Sequence, residues 1–597
     1  MRIIIIHKFQ IFDAYQNDDI YCTKLELIIF LNSVKYEFFN NTLILNHDIG
    51  LHNLKPISSQ YYLKEISKVN LTIPNLYFYW GFKFSYYDII NLNLIRELMR
   101  NLYIDNVGCD YYVSIADRLS LKGFNLSIVL TAESTLYRPK SLDALIIKNN
   151  PLVIKFEDIC LIERFEKIFD PDYSIFNIDY FSDISYFEKL FLMTIDRNSF
   201  DPLSQIDRLR IFHKYIAHAY KLLRKKKIDT ILFFGTPHGP WSIAILAVAK
   251  YLKIDIRYTD WVVLSADLTT IENDIYIRKE YNNEELKLGS ISNPKEKEVI
   301  NKIFENNLYS KTIGAEPRHI NRSLKIFLRT IKLFFFQPFS RYLATEFFLN
   351  HSSRLSIFYA HKYLLHLFDL IKALNFYDKN VTRDDIEENS LVIFLHWQPE
   401  ASTMPMGYVF SDQILLLEMI LSATPQDLKI YIKEHPYIYE NPAQDRHERS
   451  KKFYKQLLRD PRVKFLSRRM NSNEIITKAK YITSVCGSVS WEALRIGKPS
   501  IVFGRAWFSS CKSCYSVDSV SSLKEAIKKI DATTYEEVQS NLETFVKKLK
   551  GRLIYGAASR DALSCVNNNF RYNDAINNIA NGIANSFGEI NNDHYIK

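Results

Sequence analysis

The feature that most narrows the fold is a repeating phrase: a short apolar run, a turn, a helix-patterned stretch, then another short apolar run. From 390 to 503 the phrase is continuous. Apolar runs at 390–395, 428–433, 463–466, 481–484 and 500–503 predict strands, and the stretches 412–423, 441–458, 473–479 and 488–496 predict helices between them. The first half carries the same phrase. Strands are expected at 102–105 and 126–131 around a helix at 110–122. A second unit runs from a strand at 227–235 through the tight loop Thr236-Pro237-His238-Gly239-Pro240 to a helix at 241–252 and a strand at 254–258. Two such halves predict an α/β protein with two Rossmann-like domains facing a cleft, ligands lying at the carboxyl ends of the strands. The expected division is 1–310 for the first domain with an N-terminal extension, 311–385 for a helical insertion, and 386–597 for the second domain and C-terminal helices.

Composition limits the chemistry. With 597 residues there is room for about three units at roughly 100–200 residues each. Only 16 glycines and 18 prolines exclude a collagen-like or low-complexity chain. Lysine and arginine exceed the acidic residues by 77 − 67 = 10. That excess favours anionic partners such as phosphates, nucleotides or acidic lipid, and no motif points to nucleic acid. Seven scattered cysteines argue for free thiols in a reducing compartment. The N-terminal MRIIIIHK is too short for a secretory core and no long apolar window follows, so a cytoplasmic protein is expected.

Within the insertion, 318–341 holds six basic residues and no acidic one. Arg318, Arg322, Lys325, Arg329 and Lys332 fall within about an 80° arc of a helix, opposite Leu324, Phe327, Leu328, Ile331, Phe334 and Phe335. Such a helix either lies on an anionic membrane surface or packs its apolar face on a neighbouring domain.

Three motifs follow predicted strands in the second half. His396-Trp-Gln-Pro-Glu-Ala-Ser402 places Gln398 and Glu400 at a carboxyl end, where a carboxylate can act as base or nucleophile or simply sit in an exposed loop. Lys433-Glu434-His435-Pro436 places a histidine at the next end, as a phosphate donor or a satisfied structural group. The turn Ser484–Ser488 opens a helix whose unpaired amides and dipole attract an anion, with Ser488 as cap and Glu492 one turn in, toward a ribose. The alternative there is a capping-box variant without a ligand. Asp170-Pro-Asp172 is read as a turn, and Cys511 with Cys514 lacks the second pair that zinc needs.

Together, Q-P-E-A-S…D-Q (398–413), K-E-H-P (433–436) and S-x-x-G-S-x-x-W-E-A-L-x-x-G-K-P-x-x-x-F-G (484–504) resemble the capsule polysaccharide biosynthesis family, which includes bacterial Kdo transferases. The resemblance covers 390–520, and the 236–241 loop more weakly. It implies a GT-B glycosyltransferase whose second domain binds a nucleotide sugar and whose first binds a glycan or glycolipid acceptor. Carried over, Lys433, Glu434, His435, Ser484, Gly487 and Ser488 bind the donor phosphate, Glu492 holds the ribose, and Glu400 after Gln398 is the catalytic position, where relatives often have aspartate. His238 would face the acceptor. The relatives' donor is a CMP-activated ulosonic acid, while the residues themselves leave the base open. No metal or further cofactor is expected, since the helix dipole and side-chain donors stabilise the leaving phosphate. A sugar-nucleotide epimerase of the same architecture and a non-catalytic glycan-assembly protein are the rival readings.

Overall fold

A computed structural model of the chain describes residues 99–587, apart from 132–140, 156–169, 196–203, 274–355, 399–402, 436–437, 439–448 and the single positions 106, 263, 405 and 567, together with three earlier strands. Those three, β1 (Lys35–Phe39), β2 (Thr42–Asn46) and β3 (Tyr77–Phe78), pair only with one another. The basic stretch 318–341 and Glu400 lie outside the described residues.

The first domain is built on β4 (Arg100–Asp105), β5 (Phe124–Thr131), β6 (Leu152–Lys155), β7 (Thr230–Phe233) and β8 (Asp255–Trp261), parallel and in the order β6-β5-β4-β7-β8. Side chains alternate across the sheet. Tyr103 joins the core under the helices Ile178–Thr194, Gln205–Lys225 and Pro240–Tyr251, while Leu102 and Ile104 join the opposite core under Asp110–Ser120 and Tyr572–Ser586. Burial on both faces is why the strands read as unbroken apolar runs.

The second domain has six parallel strands: β10 (Ser390–Phe394), β11 (Lys429–Lys433), β12 (Val463–Phe465), β13 (Tyr481–Ser484), β14 (Ser500–Val502) and β15 (Cys514–Ser516). Their order, β12-β11-β10-β13-β14-β15, is the doubly wound Rossmann order. The expected architecture of two Rossmann-like domains is therefore present. In each sheet the order reverses once, between β4 and β7 and between β10 and β13, and those are the ligand-binding crevices of such sheets.

The domain limits differ from expectation at both ends of the second half. Residues beyond about 553 do not stay with the second sheet. β9 (Leu268–Glu272) extends the first sheet antiparallel to β8, and β16 (Ile554–Tyr555) then pairs with β9. Helix Tyr572–Ser586 packs on Asp110–Ser120, and its end is tied down by Arg257, which donates to the Ser586 carbonyl at 3.2 and 2.6 Å, and by Arg100, which donates to that of Phe587 at 3.0 Å. Both guanidiniums also stack on the Phe587 ring. At the other limit, helix Ser356–Lys379, assigned by sequence to the insertion, buries Ala373 and Tyr377 in the second domain's core. The Tyr377 hydroxyl donates to the carbonyls of Leu466 at 2.8 Å and Ile432 at 3.1 Å.

Contacts between the domains fall at the carboxyl ends of strands. Val262, Leu264 and Leu268 share an apolar cluster with Trp491, Ala506, Phe508 and the helix Tyr535–Lys550. Arg505, just past β14, lies near enough to Asp260 at the end of β8 to favour its charged form. Tyr408, in the connection between β10 and helix Gln413–Ala423, packs on Tyr186 of the first domain, with ring centroids 5.6 Å apart and planes tilted by 37°. The two reversal points thus open toward a common cleft. Among the described residues no helix is long and apolar enough to cross a membrane.

Candidate active site

At the second domain's reversal point the chain leaving β10 is bolted in place by Gln413, the first residue of helix Gln413–Ala423. Its side chain accepts from the His396 amide at 2.8 Å and donates to the His396 carbonyl at 3.3 Å. The buried His396 ring then crosses to the neighbouring strand end, where Nε2 accepts from the Cys486 amide at 3.2 Å. An accepting Nε2 requires the neutral ring. Burial above all, with the neighbouring His435 ring and the Arg449 guanidinium adding to it, pushes the His396 imidazole down to about 3. Gly487 sits so close that a Cβ there would lie 3.2 Å from this Nε2.

Beyond β11, Lys433 donates to the carbonyls of Arg468 (2.9 Å) and Glu434 (3.2 Å), and burial lowers its ammonium to about 8. Glu434 is fully buried. Its carboxylate accepts from Arg449 Nε at 2.9 Å, the Tyr454 hydroxyl at 2.7 Å and the His435 amide at 2.7 Å. Arg449 also donates to Gln398 Oε1 at 3.2 Å and the His396 carbonyl at 2.5 Å, so one guanidinium joins the ends of β10 and β11. Gln398 in turn donates to the Ser411 carbonyl at 2.6 Å. These partners correct part of the sequence reading: Glu434 and Gln398 spend their polar groups inside the protein, positioning His435 and the strand-end loop rather than reaching a donor. His435 is half-buried, and burial beside Lys433 and Arg449 holds it near 3, so its ring is neutral near pH 7.

At β13 the buried Ser484 hydroxyl bonds Ser490 Oγ at 2.9 Å and accepts the Gly487 amide at 3.0 Å. The helix Ser488–Arg495 is opened by Gly487, with no side-chain cap. Ser488 is thus the first helical residue and not the cap expected from sequence. Its hydroxyl donates to Glu492 Oε1 at 3.4 Å, and burial still raises the Glu492 carboxyl. Ser490 turns its amide back to the Gly487 carbonyl at 3.1 Å, so the amides of Ser488 and Val489 stand at the positive end of the helix beside an exposed hydroxyl.

The first domain's reversal point holds a group that sequence reasoning missed. Asp105 ends β4 almost completely buried. It accepts from the Tyr103 hydroxyl at 3.2 Å and from Ser242 Oγ at 3.1 Å, and Trp241 Nε1 donates to Tyr103 at 3.2 Å. Its only signal was an acidic residue closing an apolar strand. Burial raises the carboxyl from 3.8 to about 7. The native state therefore holds this proton between those values while the unfolded chain releases it, and stability falls as pH rises through that window, by about 1.4 kcal/mol per unit at most. Urea denaturation of Asp105→Asn should show this part of the slope removed, with the variant gaining on its parent at pH 8. Equal slopes would discard the assignment. Nearby, exposed His238 donates from Nδ1 to the Thr236 carbonyl at 2.7 Å, which leaves Nε2 as its basic nitrogen.

Asp172 caps a short turn by accepting the Ser174 amide at 3.0 Å, and Asp170 pairs with Lys221. Among the described residues no group of three histidine, cysteine or acidic side chains is arranged to hold a metal ion.

The geometry can be set beside known proteins. Residues 405–511 match the family described as capsule polysaccharide biosynthesis protein. The resemblance drawn from the motifs holds over that segment. It takes in the Lys433–His435 strand end and the Ser484–Ser488 turn, and starts after Gln398 and Glu400. No curated protein matches the chain. Among solved structures, the β-Kdo 2,4 transferase KpsC of Thermosulfurimonas dismutans is 14% identical with a TM-score of 0.27, covering 59% of this chain and 87% of that one. The β-Kdo 2,7 transferase KpsC of the same organism is 12% identical with a TM-score of 0.24, covering 61% and 88%. The UDP-GlcNAc 2-epimerase of Methanocaldococcus jannaschii is 12% identical with a TM-score of 0.19, covering 73% and 92%. At these TM-scores the superpositions carry no functional argument.

Proposed function

We propose that the chain is a cytoplasmic glycosyltransferase that moves a sugar from a nucleotide sugar to a growing capsule or related surface glycan. The observation that carries this reading is the convergence, at the reversal point of the second sheet, of His435 and the open helix end at Ser488, both within the segment that matches the capsule family, with His396 from the preceding strand end bridging to that turn. The helix amides and dipole favour the donor phosphate, and their effect grows as the leaving group gains charge. Glu492, one turn in, is our candidate for holding the ribose hydroxyls. In transfer the bond from the anomeric carbon to the phosphate oxygen breaks, its electron pair leaves with the nucleotide, an acceptor oxygen bonds that carbon, and the acceptor proton passes to a base. Glu400 is our candidate for that base, or for a nucleophile in a two-step route; His238 would serve from the acceptor side. The donor we favour is a CMP-activated ulosonic acid, a choice resting on the motifs. Among the described residues no two cysteines form a disulfide.

Incubation of the purified protein with nucleotide sugars, with and without an acceptor glycan, tests the proposal. Nucleotide release that depends on acceptor, together with an extended glycan, is expected. An epimerised donor formed without acceptor would replace transfer by isomerisation, and no turnover of any nucleotide sugar would favour a non-catalytic role.

A further inference from the structure

Tyr408 has a backbone that tyrosine rarely adopts, with φ at 48°. It follows Gly407, where a Cβ would lie 2.8 Å from the Thr403 carbonyl and 2.9 Å from Val485. The loop therefore lies tight against the β13 turn. Its other end is held by the bond from Gln398 to the Ser411 carbonyl and by Gln413 on His396. Ser411 Oγ donates back to the Tyr408 carbonyl at 2.7 Å, closing the short turn Tyr408–Ser411. A left-handed, bulky residue persists only where its surroundings over-determine it, and such residues gather at functional sites. Here the result is visible. The Tyr408 ring leaves its own domain and packs against the first domain's core, in tilted contact with Tyr186 of helix Ile178–Thr194.

We propose that Tyr408 is a positioning residue for domain closure. Its strained turn carries the ring across the cleft onto Tyr186, and that contact holds the second domain's strand-end turn Tyr408–Ser411 in register with the acceptor domain. The functional half of this inference rests on the glycosyl-transfer reading; the closure half does not.

Two variants separate ring from backbone. Tyr408→Asn keeps a residue tolerant of the left-handed region and removes the ring, whereas Tyr408→Phe keeps the ring. By small-angle X-ray scattering the Asn variant should show a larger radius of gyration than the parent, and the Phe variant should match the parent. Tyr186→Leu should reproduce the opening, and the double variant should open no further than either single one. Where transfer is measurable, the Asn variant should raise the acceptor KM or lower kcat at least tenfold while nucleotide affinity is unchanged, and Phe should restore it. An Asn variant as compact as the parent overturns the proposal whether or not the protein transfers sugar. Opening without any change in acceptor kinetics overturns its functional half alone, and failure of the parent to bind a nucleotide would instead count against the transfer reading.

Discussion

Replacing Arg449 by methionine is expected to lower stability by about 3–5 kcal/mol, because it leaves the carboxylate of Glu434 buried without its counter-charge. Neither side chain of this pair has measurable exposure, and the same guanidinium holds the His396 carbonyl and Gln398. The loss should appear as a lower urea midpoint. Adding Glu434→Gln to Arg449→Met should recover much of it, since neutral partners of similar volume replace an isolated charge. A single variant costing less than about 1 kcal/mol, the range of exposed pairs, would show that the pair does not brace the two strand ends.

The largest expected effect on activity is at Glu400. Glu400→Gln keeps the volume and removes the charge, so donor should still bind while transfer falls at least about 10²-fold, the low end for losing a general acid-base group. Should Glu400 be a nucleophile, donor without acceptor would trap a glycosyl adduct on that side chain, and the anomeric configuration of the product would be retained. Near-parental turnover in the variant would remove both roles and turn attention to a first-domain group such as His238.

The second sheet was legible almost strand by strand. β13 is found where it was expected, and β10, β11, β12 and β14 lie within a residue at either end, because a strand buried on both faces must be a continuous apolar run. The parts that escaped depend on distance along the chain. β16 is two residues long and pairs with a strand more than 280 residues earlier, so nothing local announces it. Of the expected helix at 441–458 the residues 441–448 lie outside the described ones, the rest is helical over Lys451–Leu457, and nothing local marks Arg449 as buried. A buried arginine is recognisable only by its partners. Serine prefers the cap place, which is why Ser488 is expected there, yet the cap falls on Gly487, where an added Cβ would lie 3.2 Å from the His396 ring. Of the site, the strand-end positions could be read from sequence. Which side chains face a ligand and which brace their neighbours could not, since both kinds are polar residues at the same spacing.

The central claim is that the second domain holds a nucleotide phosphate between His435 and the helix end at Ser488, and thermal unfolding with CMP, UDP and GDP tests it most directly. One nucleotide, CMP on our reading, should raise the melting temperature, equivalent to about 2.7 kcal/mol at a hundredfold excess over Kd. His435→Ala should weaken that binding by about 0.5–1.5 kcal/mol, the scale of a neutral hydrogen bond. A melting temperature unmoved by all three nucleotides, or a His435→Ala variant that binds as its parent does, would contradict the account.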